Sequence, residues 1–314
     1  MRPGASWSAA LLAALVLAGC AGPQTRGLET APPAGLPLRA ELTDTPFFPQ
    51  DAFQCGPAAL ATVLVRGGAQ TSPEALREQV YLPGREGSLQ VEMLAAARRH
   101  GFVAYTLRPR LEDLLREVAA GNPVVVLQNL SLPIFPKWHY AVVVGYDLPQ
   151  GELILRSGLE RHLVMSLSTF ERTWARSSHW AMLALPPQRL PATAEESRYL
   201  GAVVALERAA PAAARAAYET ALVRWPDNLV ARIGQGNAAY GLGDLAAAEA
   251  AYRRATQDHP EAADAWNNLA HVLLEQGRTD EARQAAQRAV SLGGARSRIY
   301  RQTLEAIPPA AQGG

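Results

Sequence analysis

Gln54-Cys55-Gly56-Pro57-Ala58-Ala59-Leu60-Ala61-Thr62-Val63-Leu64 reads as a turn entering a helix. Pro57 suits the first turn, where its missing N–H would have no helical partner. The small and apolar residues then run on almost without a break, so the helix is expected to be central and buried on all sides. Cys55 stands at its N-terminal mouth. There the positive end of the helix dipole lowers a thiol's pKa, and the first-turn N–H groups face whatever lies beside the sulfur, where they can stabilise an oxyanion. A buried cysteine that merely packs is the plainer alternative. The position after Gln54 and before Gly56-Pro57 favours a nucleophile.

A cysteine nucleophile needs a base, and the chain has six histidines. His259 and His271 fall in the C-terminal repeats described below. His100 precedes Gly101 at a helix C-terminus, and His162 and His179 sit in uninformative polar surroundings. His139 opens Trp138-His139-Tyr140-Ala141-Val142-Val143-Val144-Gly145-Tyr146-Asp147, a β-branched and aromatic run that ends in a turn. Glu152 to Arg156 reads as the returning strand of a hairpin. Between Cys55 and His139, Ser72-Pro73-Glu74 opens a short helix, and Ser88 is a candidate N-cap for a helix over Leu89 to Arg99. Phe102 to Tyr105 is a short strand, Leu111 to Ala120 a helix, and Val124 to Gln128 an apolar central strand. Helices first and sheet later is an α+β order.

A helix that starts with cysteine, followed by a strand that starts with histidine, is the papain-like order. The stretches Gln54 to Leu60 and His139 to Gly145, 84 residues apart from Cys55 to His139, resemble the papain-like peptidase family that removes double-glycine leaders from bacteriocins. The resemblance covers residues 44–185. It implies Cys55 as nucleophile, His139 as general base and then acid, and Gln50 with the Cys55 backbone N–H as oxyanion donors. Gln50 lies five residues before the cysteine where the family spacing is six. The family also holds its histidine with an aspartate on the following strand. Here that strand reads Leu155-Arg156-Ser157-Gly158, which leaves Ser157 or a backbone carbonyl to orient His139. Asp147, eight residues along, would stand about 26 Å from His139 on a straight strand and reads as a turn residue.

Working outward to the N-terminus, Arg2 and the apolar run Ala9 to Ala18 form a signal segment too short to span a bilayer permanently. It ends in Leu17-Ala18-Gly19-Cys20, which resembles the lipobox of bacterial lipoproteins. That resemblance implies a signal peptide over 1–19, acylation of Cys20 and, with Ala21 following, the periplasmic face of the outer membrane. Residues 20–40 are rich in Pro, Gly and Ala and are expected to be a flexible tether. The peptidase domain is expected over 41–187 and a linker over 188–194. With Cys20 lipidated, Cys55 is the only remaining thiol.

From residue 193 a period of 34 appears, with Pro226 and Pro260 one period apart. Small residues recur in register: Ala202, Gly236 and Ala270; Ala214, Ala248 and Ala282; Ala221, Ala255 and Ala289. Gly243 and Gly277 mark the turns. The pattern resembles the tetratricopeptide repeat and predicts an all-α solenoid over 195–308, closed by a capping helix over Ala295 to Ile307. Such an array implies a surface for a peptide or partner protein.

Net charge is +1, with 30 basic and 29 acidic residues, which argues against nucleic-acid binding by bulk charge. Lys137 is the only lysine. No Cys/His ligand spacing or Gly-rich phosphate loop points to a metal or nucleotide cofactor. The expectation is therefore an α+β papain-like cysteine peptidase domain followed by a repeat solenoid, anchored to a membrane at Cys20 and acting on peptides or proteins without a cofactor. Two competing readings remain: a peptidase-like adaptor that binds without turnover, and an acyl transferase or amidase acting on cell-wall peptides with the same Cys–His pair.

Overall fold

The computed structural model describes residues 22–50 and 54–309; the signal segment and Cys20 lie outside the described residues. The chain opens with α1 (Pro23–Thr30), β1 (Arg39–Glu41), α2 (Cys55–Arg66), α3 (Pro73–Val80), β2 (Tyr81–Leu82), β3 (Gly87–Ser88) and α4 (Gln90–Arg99). It continues through β4 (Val103–Thr106), α5 (Leu111–Ala119), β5 (Val124–Asn129), β6 (Trp138–Asp147), β7 (Glu152–Ser157), β8 (Glu160–Ser166), α6 (Leu167–Ala175) and β9 (Ala181–Leu185). The helices that follow are α7 (Glu196–Glu207), α8 (Pro211–Arg224), α9 (Leu229–Gly241), α10 (Leu245–Asp258), α11 (Ala263–Glu275), α12 (Thr279–Leu292) and α13 (Ser297–Ala306). Contacts divide the chain into two compact units. The first runs to His100 and includes Ala104–Leu185 and Pro191–Ala194; the second holds Gly101–Val103, Pro186–Leu190 and the chain from Glu195.

In the first unit the sheet runs β4-β9-β5-β6-β7-β8, with β1 added against β6. Strand β6 is the hub. Its first half pairs antiparallel with β5, Gln128 opposite His139, while its second half lies between β1 and β7. Every residue of β5 is buried, as its apolar run requires. Helix α2 packs on β5, β6 and β9. Gly56 through Leu64 are all buried, and the one hydroxyl among them, Thr62 Oγ1, donates to the Ala58 carbonyl at 2.9 Å. Ser72 caps α3 as expected, accepting from the Ala75 N–H.

The stretch 20–40 is not a free tether over its described part. Residues 23–30 form α1, whose N-terminus is capped by the buried Glu171 carboxylate of α6. Glu171 accepts from the Gln24 and Thr25 N–H groups at 3.0 and 2.7 Å and from Thr25 Oγ1 at 2.6 Å. Gln24 in turn caps α5, accepting from the Leu111 N–H at 2.6 Å. These partners lie 87 to 147 residues away in sequence, which is why local composition read as a linker. Pro191–Ala194, within the stretch expected as a linker, is likewise pinned. Buried Glu117 accepts from the Ala192 and Thr193 N–H groups at 3.1 and 2.7 Å.

In the second unit, α7/α8, α9/α10 and α11/α12 are three helix pairs, and α13 packs on the last pair. The in-register alanines are buried, Ala214, Ala248 and Ala282 completely. Gly236 shows why small residues recur: a Cβ there would come within 2.4 Å of the Tyr252 ring. This is a helical region of successive helix pairs following a mixed helix-and-sheet domain.

Candidate active site

Cys55 is the first residue of α2, with Gln54 as N-cap. The next position must be glycine, because a Cβ on Gly56 would stand 2.3 Å from Ser88 Oγ. The β2–β3 hairpin therefore closes onto the helix mouth. Tyr140 holds it there, donating its phenolic O–H to the Ser88 carbonyl at 3.2 Å. Ser88 is not the N-cap of the following helix. That helix starts one residue later with Leu89 as cap and no side-chain bond, and Ser88 Oγ is buried without a partner, committed to the hairpin end instead.

His139 enters from β6. It lines, with Cys55 and Gln50, a cleft of about 1030 Å³ walled by the β2–β3 hairpin, the start of β6 and the turn after α6. The backbone N–H groups of Tyr140, the residue after His139, and of Gly56 and Cys55 favour the thiolate form of Cys55. Strand and helix thus meet at the thiol. Ser157, on β7, reaches His139: its Oγ lies 2.8 Å from Nε2. Register explains the contact. Val142 pairs with Arg156, so Ser157 and His139 are diagonal neighbours beyond the end of that ladder. Asp147 is engaged elsewhere, at the far end of β6, in an ion pair with Arg39 at 2.8 Å and in the turn through the Gln150 N–H.

The electrostatics correct one expectation. Burial pushes the Cys55 thiol up, and the three N–H groups that favour the thiolate offset this only in part. Removing the charged sulfur from water outweighs the helix mouth. His139 is pushed down to about 4, first by burial and then by the Lys137 ammonium. Both shifts run toward the neutral forms, a protonated thiol and an uncharged imidazole, and so oppose a thiolate–imidazolium pair.

Gln50 is held by its backbone N–H, which donates to the Gly158 carbonyl at 3.2 Å; its side-chain Oε1 is buried without a partner. Of the other histidines, His162 pairs with Glu41, and His179 packs edge-on against Trp174. The part Tyr140 and Ser88 play at the cleft escaped the sequence reading, which took Ser88 for a helix cap, because it depends on a hairpin closing across the cleft. Lys137 did carry a signal, as the single lysine two residues before His139. Among the described residues no group of three or more His, Cys, Asp or Glu side chains converges as a metal would need.

Residues 42–182 match the Peptidase_C39 like family, and residues 199–256 and 233–297 match the tetratricopeptide repeat. A solved structure described as a C39-like peptidase from Bacillus anthracis aligns at 19% identity over 47% of this chain and 97% of that chain, with a TM-score of 0.40. No curated protein matches the chain. The first unit is thus a C39-like peptidase domain, and the helical region after it carries tetratricopeptide repeats.

Proposed function

We propose that the protein is a cysteine peptidase of the cell envelope, lipid-anchored at Cys20, with a repeat region that binds a peptide or partner protein. The observation that carries the enzymatic reading is the convergence of Cys55 and His139 on one cleft, with His139 Nε2 taken by Ser157. That leaves Nδ1 for the thiol. Since both groups start neutral, His139 takes the thiol proton as Sγ attacks the peptide carbonyl. The Cys55 backbone N–H and the Gln50 side-chain amide receive the oxyanion. The imidazolium gives its proton to the leaving amine. Water, with His139 again as base, then hydrolyses the thioester and restores the thiol. The likeness to double-glycine-leader peptidases extends this reading to release of a leader from a precursor peptide.

One observation favours a second reading, an adaptor that binds peptides with little turnover: the partner of His139 is a hydroxyl, which supplies no negative charge to the imidazolium. Incubation with peptide aldehydes and intact-mass analysis tests the active-site assignment. The expected result is a reversible adduct on Cys55 that is absent in Cys55→Ala. An adduct on no residue, with the peptides still bound, moves the reading to the adaptor. For the anchor, Cys20→Ala is expected to shift the protein from the detergent phase to the aqueous phase; unchanged partition would remove the lipid.

A further inference from the structure

The cleft that holds Cys55 and His139 is unevenly charged. Arg85, Lys137 and Arg176 line it against one acid, Glu86, in a chain whose charges otherwise nearly cancel. Neither the Lys137 ammonium nor the Arg85 guanidinium has an ion-pair partner among the described residues. Arg176 donates to the carbonyls of Asn129 and Ser131 at 2.9 and 2.7 Å, neutral acceptors that leave its charge uncompensated. Trp138, half exposed beside Lys137, gives the same wall an apolar face.

We infer that this cleft selects peptides with an acidic side chain within a few residues of the bond cleaved, next to an apolar residue that packs on Trp138. The inference rests on the peptide-cleaving reading above and names its substrate class. Uncompensated cations gathered around a concavity attract an anion more strongly than the same cations scattered over an open surface, and because all three are exposed to solvent the attraction is sensitive to salt. A bound carboxylate beside Lys137 also does what the chain itself does not. It places negative charge near His139, opposing the Lys137 field that helps hold the imidazole neutral. Acidic substrates thereby assist their own cleavage. Ile134 and Phe135, exposed on the loop just before the cleft wall, raise the competing idea of an anionic lipid surface. The cations line the cleft with the thiol, which favours the peptide.

The test uses the full chain carrying Cys55→Ala, immobilised and offered a pool of short capped peptides with Glu or Gln at each position. Retained peptides are sequenced by mass spectrometry. At about 50 mM salt, Glu is expected to be enriched about tenfold over Gln at one or two positions, falling to about twofold at about 500 mM as screening grows. Lys137→Gln in the same background is expected to reduce the enrichment about threefold. No Glu preference, no retention, or binding confined to phosphatidylglycerol vesicles each overturns the inference. Because the assay reads binding without the thiol, Glu enrichment together with no cleavage by the unaltered protein would leave the charge selection standing and remove only the peptidase reading.

Discussion

Ser157 Oγ lies 2.8 Å from His139 Nε2, the position from which a carboxylate would hold an imidazole's tautomer and stabilise its protonated form. A hydroxyl can donate or accept and carries no charge, so it aligns the ring but selects the tautomer and stabilises the imidazolium less than a carboxylate would. Cys55 and His139 thus line one cleft in which the imidazole is met by a hydroxyl and not by a charge.

Replacing the hydroxyl tests that statement directly. Ser157→Asp is expected to raise the His139 pKa by about 1 to 3 units, the range for an adjacent opposite charge. Alkylation of Cys55 near pH 6.5 should then accelerate about tenfold. Ser157→Ala should lower peptide turnover several-fold and leave Cys55 labelling little changed. His139 titration by NMR, read beside the labelling rates, checks both. An unmoved His139 in Ser157→Asp would mean that Ser157 does not govern the ring.

The pH dependence follows from the two shifts. Burial lifts the Cys55 thiol above its ordinary range, and burial with Lys137 lowers His139 to about 4. Labelling of free Cys55 by iodoacetamide should therefore keep rising past pH about 8.5, with no thiolate plateau between about 5 and 7. Stability should show the His139 linkage. Above pH about 6.5 the imidazole is neutral in both states and stability is at its full value. Between there and about 4 the unfolded chain binds a proton that the folded one refuses, so stability falls and then levels. His139→Gln should flatten that fall in a urea titration. A labelling plateau at pH 5–7 would reveal a preformed ion pair and contradict the assignment.

Glu171 ties the chain's first described helix to the domain. Glu171→Gln weakens three hydrogen bonds to a buried carboxylate and is expected to cost about 2 kcal/mol or more, since charged acceptors are the strong ones. An eight-residue helix does not persist alone. Limited proteolysis should then cut within residues 23–38, where the unaltered protein resists. Equal resistance would show that α1 is held by other contacts.

What was legible in the sequence was what local pattern encodes. The run from Gly56 to Leu64 is buried as an all-round apolar helix must be, and β6 and β7 form the expected hairpin. The repeat alanines face inward at their 34-residue spacing. The positions of Cys55, His139 and Ser157 along the chain already put them at a helix mouth, a strand start and the next strand. The misread features depend on contacts across the chain. Composition over 20–40 cannot show a carboxylate 147 residues away. The helix-mouth argument for a low thiol pKa is sound locally, yet burial contributed by β6 and the hairpin outweighs it. Ser88 has a capping side chain, but the hairpin ends there and the helix begins one residue on.

Gly56 offers a structural test of how the cleft is built. Gly56→Ala sets a methyl 2.3 Å from Ser88 Oγ, so the hairpin must move away from the thiol. A loss of about 1 to 3 kcal/mol is expected from overpacking. Ser88→Gly in the same chain should recover part of it, which a defect confined to the helix would not permit. Thermal unfolding of the single and double variants reads the difference.

The central claim, that Cys55 and His139 together break peptide bonds, is tested most directly by product analysis. The purified chain is incubated with a peptide pool between pH 5 and 9, and the new termini are read by mass spectrometry. Cleavage at a defined set of bonds is predicted for the unaltered protein, with none for Cys55→Ala and at most a trace for His139→Ala. An identical product set from Cys55→Ala, or no products at any pH from a folded protein that still binds the peptides, would contradict it.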